Sequence, residues 1–476
     1  MDLRAKAVSG VKWSTVATGS KAVIELARIS ILTYLLEKSD FGIIAIAMMI
    51  IGFAEIFSNM GLTIGIIHKQ NITQKQYSSV YWLNLMTSVI AFSILVGATP
   101  LLSSFYNEPI LNSVIPLLGL QIIINAIGKI HQTIKTKELH FAFISKINVI
   151  STFIGFLLTV ILAYLGFGVY SLVWGQLFQV TINQGIFLIT GITDKNIIFH
   201  FSYVEVKEFI SIGSYQLGSQ ILDFLAFQID VFLIGYFFGM NNLGIYSIGK
   251  ELVIKPFQMI NALVLNVASA AFAKIQNDVE AIKRNYLKLA EVVTNLSFPL
   301  YLVIFIFADT IVAILYAPTF SEVAIFLRIL IPVGMISSVN SIPSTLIIAK
   351  GRTDISFRWT VIRVVISTGM ILFASFFSIY FVAASQSLLV VVFFFIYWRI
   401  AVYPLSGITL NEYLNIFKGS FLTAVLVALP FIVISYFFNL SLILGVLLSI
   451  FYVITYLVIL MRIKEYRFSD LKQFIK

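Results

Sequence analysis

The chain has 476 residues, of which 59% are hydrophobic and only 11% are charged, and its formal net charge is +10. A soluble domain carries about 25% charged residues, and the mean hydropathy here is +0.97, so the composition excludes a soluble protein. The sequence has no cysteine, which excludes disulfides and thiol chemistry. It also has no long basic run, so the positive charge does not predict nucleic-acid binding.

Polar breaks divide the chain into apolar pieces, each long enough for two membrane spans of about 20 residues. The breaks lie at residues 67–79, 135–146, 192–208, 271–288, 350–358 and 399–418. The sequence therefore predicts an all-α polytopic membrane protein with about fourteen transmembrane helices.

The Lys and Arg residues are distributed unevenly between the two ends of these spans. The N-terminus holds 3, the six breaks hold 16 and the C-terminal tail holds 5, so that 24 of the 32 lie on one side. The short turns on the other side hold only Lys38. Because cytoplasmic loops carry the excess of positive charge, we predict a protein of the cell inner (plasma) membrane with both termini in the cytoplasm.

The first span carries polar residues at spacings typical of one helix face. They are Ser14, Thr18, Lys21, Glu25 and Arg28. Lys21 and Arg28 lie roughly 14 and 24 Å from the predicted cytoplasmic end, too deep for both to reach the interface. An ionisable group at that depth costs at least about 2.5–3.5 kcal/mol, so it faces water, a partner or a ligand. Glu25 is close enough in sequence to pair with either cation, and this alternative stays open.

The second half of the sequence repeats the first with a shift of 202 positions. Residues 34–46 and 236–248 share four identities: Tyr34/Tyr236, Gly42/Gly244, Ile43/Ile245 and Ile46/Ile248. The same shift places polar residues of the seventh span on the stripe of the first: Gln216, Gln220, Asp223 and Asp230. The shift skips an even number of spans, so the repeats share one topology about an axis along the membrane normal. Spans 1 and 7 are therefore predicted to face each other across a central cleft.

The eighth span adds two deep cations and an acid. Glu251 precedes Lys255 by four residues, the favourable order for an ion pair, which would leave Lys250 as the available cation. Three more cations lie within about two turns of a predicted helix end, where a long side chain reaches the interface: Lys129, Arg328 and Arg363.

Acidic residues in the spans allow two roles. Glu55 in the second span, with Asp223 and Asp230, is a candidate for H⁺ or Na⁺ coupling, since a buried carboxylate binds a proton or a cation. The second role is ion pairing between the lobes, because Asp230 and Arg28 occupy equivalent positions of the two repeats. Glu25 would also contribute to such pairing.

Short segments carry a resemblance to a known family: Leu26-Ala27-Arg28, Ser39-Asp40-Phe41-Gly42, Asn59-Met60-Gly61-Leu62, Gln228-Ile229-Asp230 and Leu243-Gly244-Ile245-Tyr246-Ser247. The chain resembles the polysaccharide exporter (Wzx-type, colanic-acid-exporter-like) branch of the MOP flippase superfamily, which also includes the MATE drug exporters and the lipid II flippase. The resemblance implies two six-helix lobes in a MATE-like V, with spans 1, 2, 7 and 8 lining the cavity. We predict an N-terminal lobe at residues 1–205, a C-terminal lobe at 206–410, and two additional helices with a basic tail at 411–476.

Such families carry undecaprenyl-diphosphate-linked oligosaccharides, and the resemblance implies that this chain moves such a repeat unit of O-antigen, capsule or exopolysaccharide to the periplasmic leaflet by alternating access. A diphosphate needs multivalent cationic contacts, and the Arg fork binds two oxygens at once. Arg28 is therefore the first candidate for substrate binding, with Lys21, Lys250 and Lys255 assisting. The substrate anion and Asp230 would compete for Arg28. Pairing of Arg28 with Asp230 would then close the empty carrier, and the diphosphate would displace Asp230 to release it.

Two other classes of function are less well supported. A cation-coupled multidrug exporter of the MATE kind favours an acidic, aromatic cavity without matching deep Lys and Arg residues. A membrane enzyme needs catalytic side chains in a sizeable loop, whereas the longest outer turn, residues 309–322, contains no Lys, Arg or His. We expect no catalytic role, no metal and no cofactor. The expected partners are the lipid-linked substrate, membrane lipids, a polysaccharide polymerase and a chain-length regulator, with the carrier working as a monomer.

Overall fold

The computed structural model describes residues 3–194, 197–437 and 442–463, and nearly all of them are helical. Sixteen α-helices follow one another: α1 Leu3–Leu32, α2 Lys38–Asn59, α3 Leu62–His68, α4 Gln74–Tyr106, α5 Leu111–Lys137, α6 Phe141–Tyr164, α7 Val169–Thr193, α8 Tyr203–Lys274, α9 Val279–Ile306, α10 Ala308–Leu315, α11 Val323–Ala349, α12 Thr353–Ser375, α13 Ile379–Tyr397, α14 Tyr403–Ser406, α15 Leu410–Phe437 and α16 Leu442–Ile463. The all-α membrane fold is confirmed.

Within the described ranges, twelve helices are long and apolar enough to cross a membrane. The polar-striped α1 is not among them, and α8 is counted once, although its apolar part, Leu217–Asn261, has 45 residues. At 1.5 Å per residue that length is more than twice the roughly 30 Å of a bilayer core. The helix breaks at Gly239, whose φ of 76° and ψ of 174° are not helical and suit only glycine. The predicted number of fourteen spans is not confirmed by this count.

The first of two compact units comprises Met1–Ser247. Within it α5 packs against α4, α7 and α2, while α6 packs between α1 and α7. The first half of α8, residues 203–238, corresponds to the predicted seventh span and belongs to this unit. The predicted lobe boundary after residue 205 stays a prediction.

The second compact unit comprises Ile248–Lys476. Here α9 packs against both α11 and α15. Ser420 on α15 donates a hydrogen bond of 2.7 Å from its hydroxyl to Oδ1 of the buried Asn295 on α9. Tyr456 on α16 donates to the same oxygen at 3.4 Å. Both C-terminal helices are thus joined to α9 by polar contacts inside the unit.

Candidate functional site

The cations of α1 lie on the opposite face of the helix from its most exposed residues. Lys21 and Arg28 are both partly buried, whereas Val16 and Val23 are 60% and 67% exposed. At about 100° per residue, the two valines lie on the opposite face of the helix from Lys21 and Arg28. α1 packs along α6, where a Cβ on Gly10 would lie 2.7 Å from Cδ2 of Phe141. The two cations therefore lie on the more buried face of α1.

Arg28 has an unused hydrogen-bond donor. Its Nε is buried and has no hydrogen-bond partner. Among the residues that the structure describes, no carboxylate lies within 4 Å of Lys21 or Arg28. A helical pair of either cation with Glu25 would contribute only about 0.2–0.5 kcal/mol, and this alternative stays a prediction. A desolvated guanidinium N–H without an acceptor is costly, and an anionic ligand would remove that cost.

The two aspartates of the first half of α8 differ in environment. Asp223 is exposed, whereas Asp230 is only 1% exposed. The hydroxyl of Tyr246, beyond the break at Gly239, donates a hydrogen bond of 2.5 Å to Oδ2 of Asp230. The predicted pairing of Asp230 with Arg28, and the switch based on it, stay predictions.

The Tyr246→Phe substitution is expected to lower the thermal midpoint of the detergent-solubilised protein. It removes the hydroxyl that donates to a buried carboxylate, and a hydrogen bond to a charged group contributes about 1.5–3 kcal/mol. Tyr236→Phe is the matched control, because Tyr236 is 50% exposed and its stacking on Phe105 survives loss of the hydroxyl. Equal thermal midpoints for the Tyr246→Phe and Tyr236→Phe variants would show that the Tyr246 hydroxyl does not stabilise Asp230.

Glu55 lies in a network of amides that links four helices of the first unit. Asn125 on α5 donates to Glu55 Oε1 at 2.8 Å, and Gln184 on α7 donates to Asn125 Oδ1 at 3.3 Å. On α7 and α6, Asn183 donates to Asn148 Oδ1 at 2.9 Å, and Gln184 donates to Asn183 at 3.4 Å. The network joins one membrane carboxylate to neutral donors and acceptors that were not among the residues predicted from the sequence. The Asn and Gln residues within apolar helices could have indicated this network, because such side chains form hydrogen bonds between membrane helices.

Lys129 lies one turn beyond Asn125 on α5 and within electrostatic range of Glu55. It is eight residues from the end of α5 at Lys137, or about 12 Å, and it is partly buried. The distance of Lys129 from the end of α5 is close to the two turns predicted from the sequence, and its interpretation as an interfacial cation stays a prediction. Arg328 pairs with the exposed Asp309 on α10, and its interfacial position likewise stays a prediction.

The remaining candidate cations belong to the second unit. Lys255 is 13% exposed at its side chain and pairs with Glu251 at 3.1 Å between Nζ and Oε1, which confirms the predicted ion pair. Lys250 is partly buried on the same helix. The role of these two lysines in substrate binding stays a prediction. Within the described residues, no cluster of His, Asp or Glu could hold a metal ion.

Comparison with known proteins places the chain in a family. The model of the family described as "Polysaccharide biosynthesis protein" matches residues 31–325. The chain belongs to this family. The predicted resemblance to polysaccharide exporters is thereby confirmed.

Two relatives show how far the similarity extends. The teichuronic acid biosynthesis protein TuaB of Bacillus subtilis (strain 168) is 28% identical over 369 residues, which are 77% of this chain and 76% of TuaB. The lipopolysaccharide biosynthesis protein WzxC of Escherichia coli (strain K12) is 26% identical over 363 residues, 76% of this chain and 74% of WzxC. Both similarities extend over most of each protein.

A solved structure shows the same fold. The lipid II flippase MurJ in its inward closed conformation superposes with a TM-score of 0.73 over 95% of this chain and 99% of MurJ, at 13% sequence identity. The fold predicted from the superfamily resemblance is confirmed by this similarity.

Proposed function

We propose that this protein is a flippase that moves an undecaprenyl-diphosphate-linked oligosaccharide from the cytoplasmic to the periplasmic leaflet by alternating access. The observation that supports this proposal most directly is the buried Nε of Arg28, which has no hydrogen-bond partner. Membership of a polysaccharide biosynthesis family and the fold of a lipid II flippase agree with it. A drug exporter of the MATE kind favours an acidic cavity, so the deep cations Lys21 and Arg28 support that alternative less well.

The chemistry follows from the charge on each partner. Arg28 offers a planar fork for two phosphate oxygens, and Lys21, two turns away on the same face, adds a point charge. Both groups are partly desolvated, so their attraction to a diphosphate is stronger than in water. Lys250 and Lys255 assist, although Lys255 must first leave Glu251. The carrier makes and breaks no covalent bond, so the protein is not an enzyme and needs no cofactor.

Transport is coupled to H⁺ or Na⁺ at Glu55. This carboxylate is partly buried in α2 and has both a neutral donor, Asn125, and a nearby cation, Lys129. Binding of a proton or Na⁺ would change the charge that Lys129 faces, and with it the electrostatic environment of the amide network. Asp223 and Asp230 are the further candidates for this role or for pairing between the lobes.

The protein resides in the inner (plasma) membrane with both termini in the cytoplasm, as the distribution of Lys and Arg predicts. It acts as a monomer and passes its substrate to a polysaccharide polymerase and a chain-length regulator. This orientation places the turn between α1 and α2, at Lys38, on the periplasmic side.

Reconstituted vesicles test the function. The purified protein in liposomes with a fluorescent lipid-diphosphate oligosaccharide should expose the label to a membrane-impermeant quencher, whereas protein-free liposomes should protect half of it. The matched lipid monophosphate should be moved at least about tenfold more slowly, because one charged contact is worth about 1.5–3 kcal/mol. Movement of a cationic dye but of neither lipid would establish the drug-exporter alternative instead.

A further inference from the structure

The amide network of the first unit extends beyond its link to Glu55. We call its carboxamides the amide layer, formed by Asn125, Asn148, Gln179, Asn183 and Gln184. Asn183 Nδ2 donates to Ser151 Oγ at 3.0 Å as well as to Asn148, and Gln179 Nε2 donates to Thr152 Oγ1 at 3.4 Å. All five carboxamides lie about two turns or more from the ends of α5, α6 and α7. At that depth, an amide that faced hydrocarbon would lack hydrogen-bond partners.

The amide layer lies away from the most exposed sides of its helices. At about 100° per residue, Asn148 is opposite Leu157 on α6, which is 42% exposed, and Asn183 is opposite Ile192 on α7, which is 66% exposed. Asn148 and Asn183 are nevertheless partly exposed themselves. Their accessible atoms therefore face the interior of the unit, around which α1, α6, α7, α5 and α2 pack in that order, each against the next.

The amide layer lies close in depth to the cations of α1. The helices α1 and α6 run parallel, because the Trp13 ring near the start of α1 has its centroid 5.1 Å from Nζ of Lys146 near the start of α6, and the last turns of both helices line one groove. The same offset sets Lys21 one to two turns, or about 5–9 Å, from the level of Asn148. A sugar attached to a diphosphate at Lys21 would therefore reach the amide layer.

The amide layer keeps unused hydrogen-bonding groups of both kinds. Oε1 of Gln184 and Oε1 of Gln179 are buried acceptors without a hydrogen-bond partner, and Gln184 is only 7% exposed. Asn148 accepts from Asn183 through Oδ1, and among the described residues its Nδ2 donates to no group. Carboxamides that served only to join helices would satisfy one another. Unpartnered buried atoms cost free energy, and a ligand with matching groups would remove that cost.

The chemistry of the amide layer selects the class of ligand. All five side chains are neutral, so the layer offers neither the cations that a phosphate needs nor the carboxylates that attract a metal ion. A hydroxyl group both donates and accepts hydrogen bonds, which matches a surface with a free N–H donor and unpartnered carbonyl oxygens. A neutral, hydroxyl-rich ligand such as a sugar ring fits this surface best.

We propose that the amide layer binds the sugar next to the diphosphate and selects the repeat unit, while Lys21 and Arg28 hold the diphosphate itself. This inference rests on the proposed function and names the groups that recognise the neutral part of its substrate. Asn148 and Asn183 contact the sugar, and the unpartnered oxygens of Gln179 and Gln184 accept from its hydroxyls.

Two fluorescent lipids test this assignment in the flipping assay: the lipid-diphosphate oligosaccharide, and a matched lipid diphosphate with a hydroxyl-free ether spacer in place of the sugars. The unsubstituted protein should move the oligosaccharide lipid at least about tenfold faster, because a site built to bind hydroxyls rejects an analogue that lacks them. Asn148→Leu combined with Asn183→Leu replaces both partners of one hydrogen bond by side chains of similar size, which limits the structural cost. This double variant should move the oligosaccharide lipid at least about tenfold more slowly and the spacer lipid within about twofold of the unsubstituted rate.

Asn112→Leu is the matched control, because Asn112 donates to Ser103 near the start of α5, away from the amide layer, and both rates should stay unchanged. Asn148→Ser takes the place of the double variant if the latter does not accumulate in the membrane, and it should reduce the preference for the oligosaccharide lipid at least about threefold. An equal loss on both lipids, an undiminished preference, or no preference in the unsubstituted protein would overturn the proposal. Movement of neither lipid by the unsubstituted protein would instead refute the function.

Discussion

Replacing Arg28 with Ala is expected to reduce flipping of the lipid-diphosphate oligosaccharide by at least about a hundredfold. Arg28 supplies a buried N–H without a partner and a fork that binds two phosphate oxygens. Each charged hydrogen bond contributes about 1.5–3 kcal/mol, and 1.4 kcal/mol is tenfold in an equilibrium. The measurement is the initial flipping rate in liposomes, with surface polysaccharide in cells as a second readout.

Two further variants make this result specific. Arg28→Lys keeps the charge but loses the fork, so its flipping rate should fall between those of the original protein and Arg28→Ala. Arg328→Ala removes a cation that already pairs with Asp309, and we expect it to retain flipping within about threefold. Normal flipping by Arg28→Ala at normal membrane abundance would remove Arg28 from the substrate site.

Glu55→Gln is expected to abolish the response of transport to an ion gradient. Gln keeps the size of the side chain and an oxygen that accepts from Asn125, but it cannot bind and release a proton. A tenfold gradient of one ion is worth about 1.4 kcal/mol, or tenfold in the distribution of substrate between leaflets. The variant should lose that tenfold effect while flipping still equilibrates the two leaflets.

The gradient experiment has two arms, because H⁺ and Na⁺ are both candidates. An imposed pH difference and an imposed Na⁺ difference are applied separately, and the arm that drives accumulation identifies the ion. Glu108→Gln, in the turn between α4 and α5, is the control acid and should respond as the original protein does. If Glu55→Gln still accumulated substrate, Asp223 and Asp230 would be the next positions to test.

The general fold could be read from the sequence, since spanning helices impose their length and apolarity on the chain. The family could be read from short segments. The cations of α1 were also visible, because charges are rare in apolar stretches. What the sequence could not decide was whether Glu25 neutralises Lys21 or Arg28, because spacing permits a weak pair without requiring it.

Contacts between residues that are distant in the sequence could not be predicted, for a different reason. In the sequence Asn125 and Gln184 are ordinary polar residues; only folding brings Asn125 next to Glu55 and Gln184 next to Asn125. The match between Gly42 and Gly244 was visible as a repeat, but identity at equivalent positions does not reveal that the two copies touch. The number of spans was similarly uncertain, because polar stripes and a glycine break blur the hydropathy signal.

The polar junction of Asn295, Ser420 and Tyr456 bears on how this fold could be shortened. A chain ending near residue 410 would strip the partners from a buried amide and present it to hydrocarbon, where an unsatisfied polar group costs several kcal/mol. Removing α15 and α16 from such a carrier would then require an apolar replacement at position 295. The last two helices, α15 and α16, are thus an integral part of the second unit.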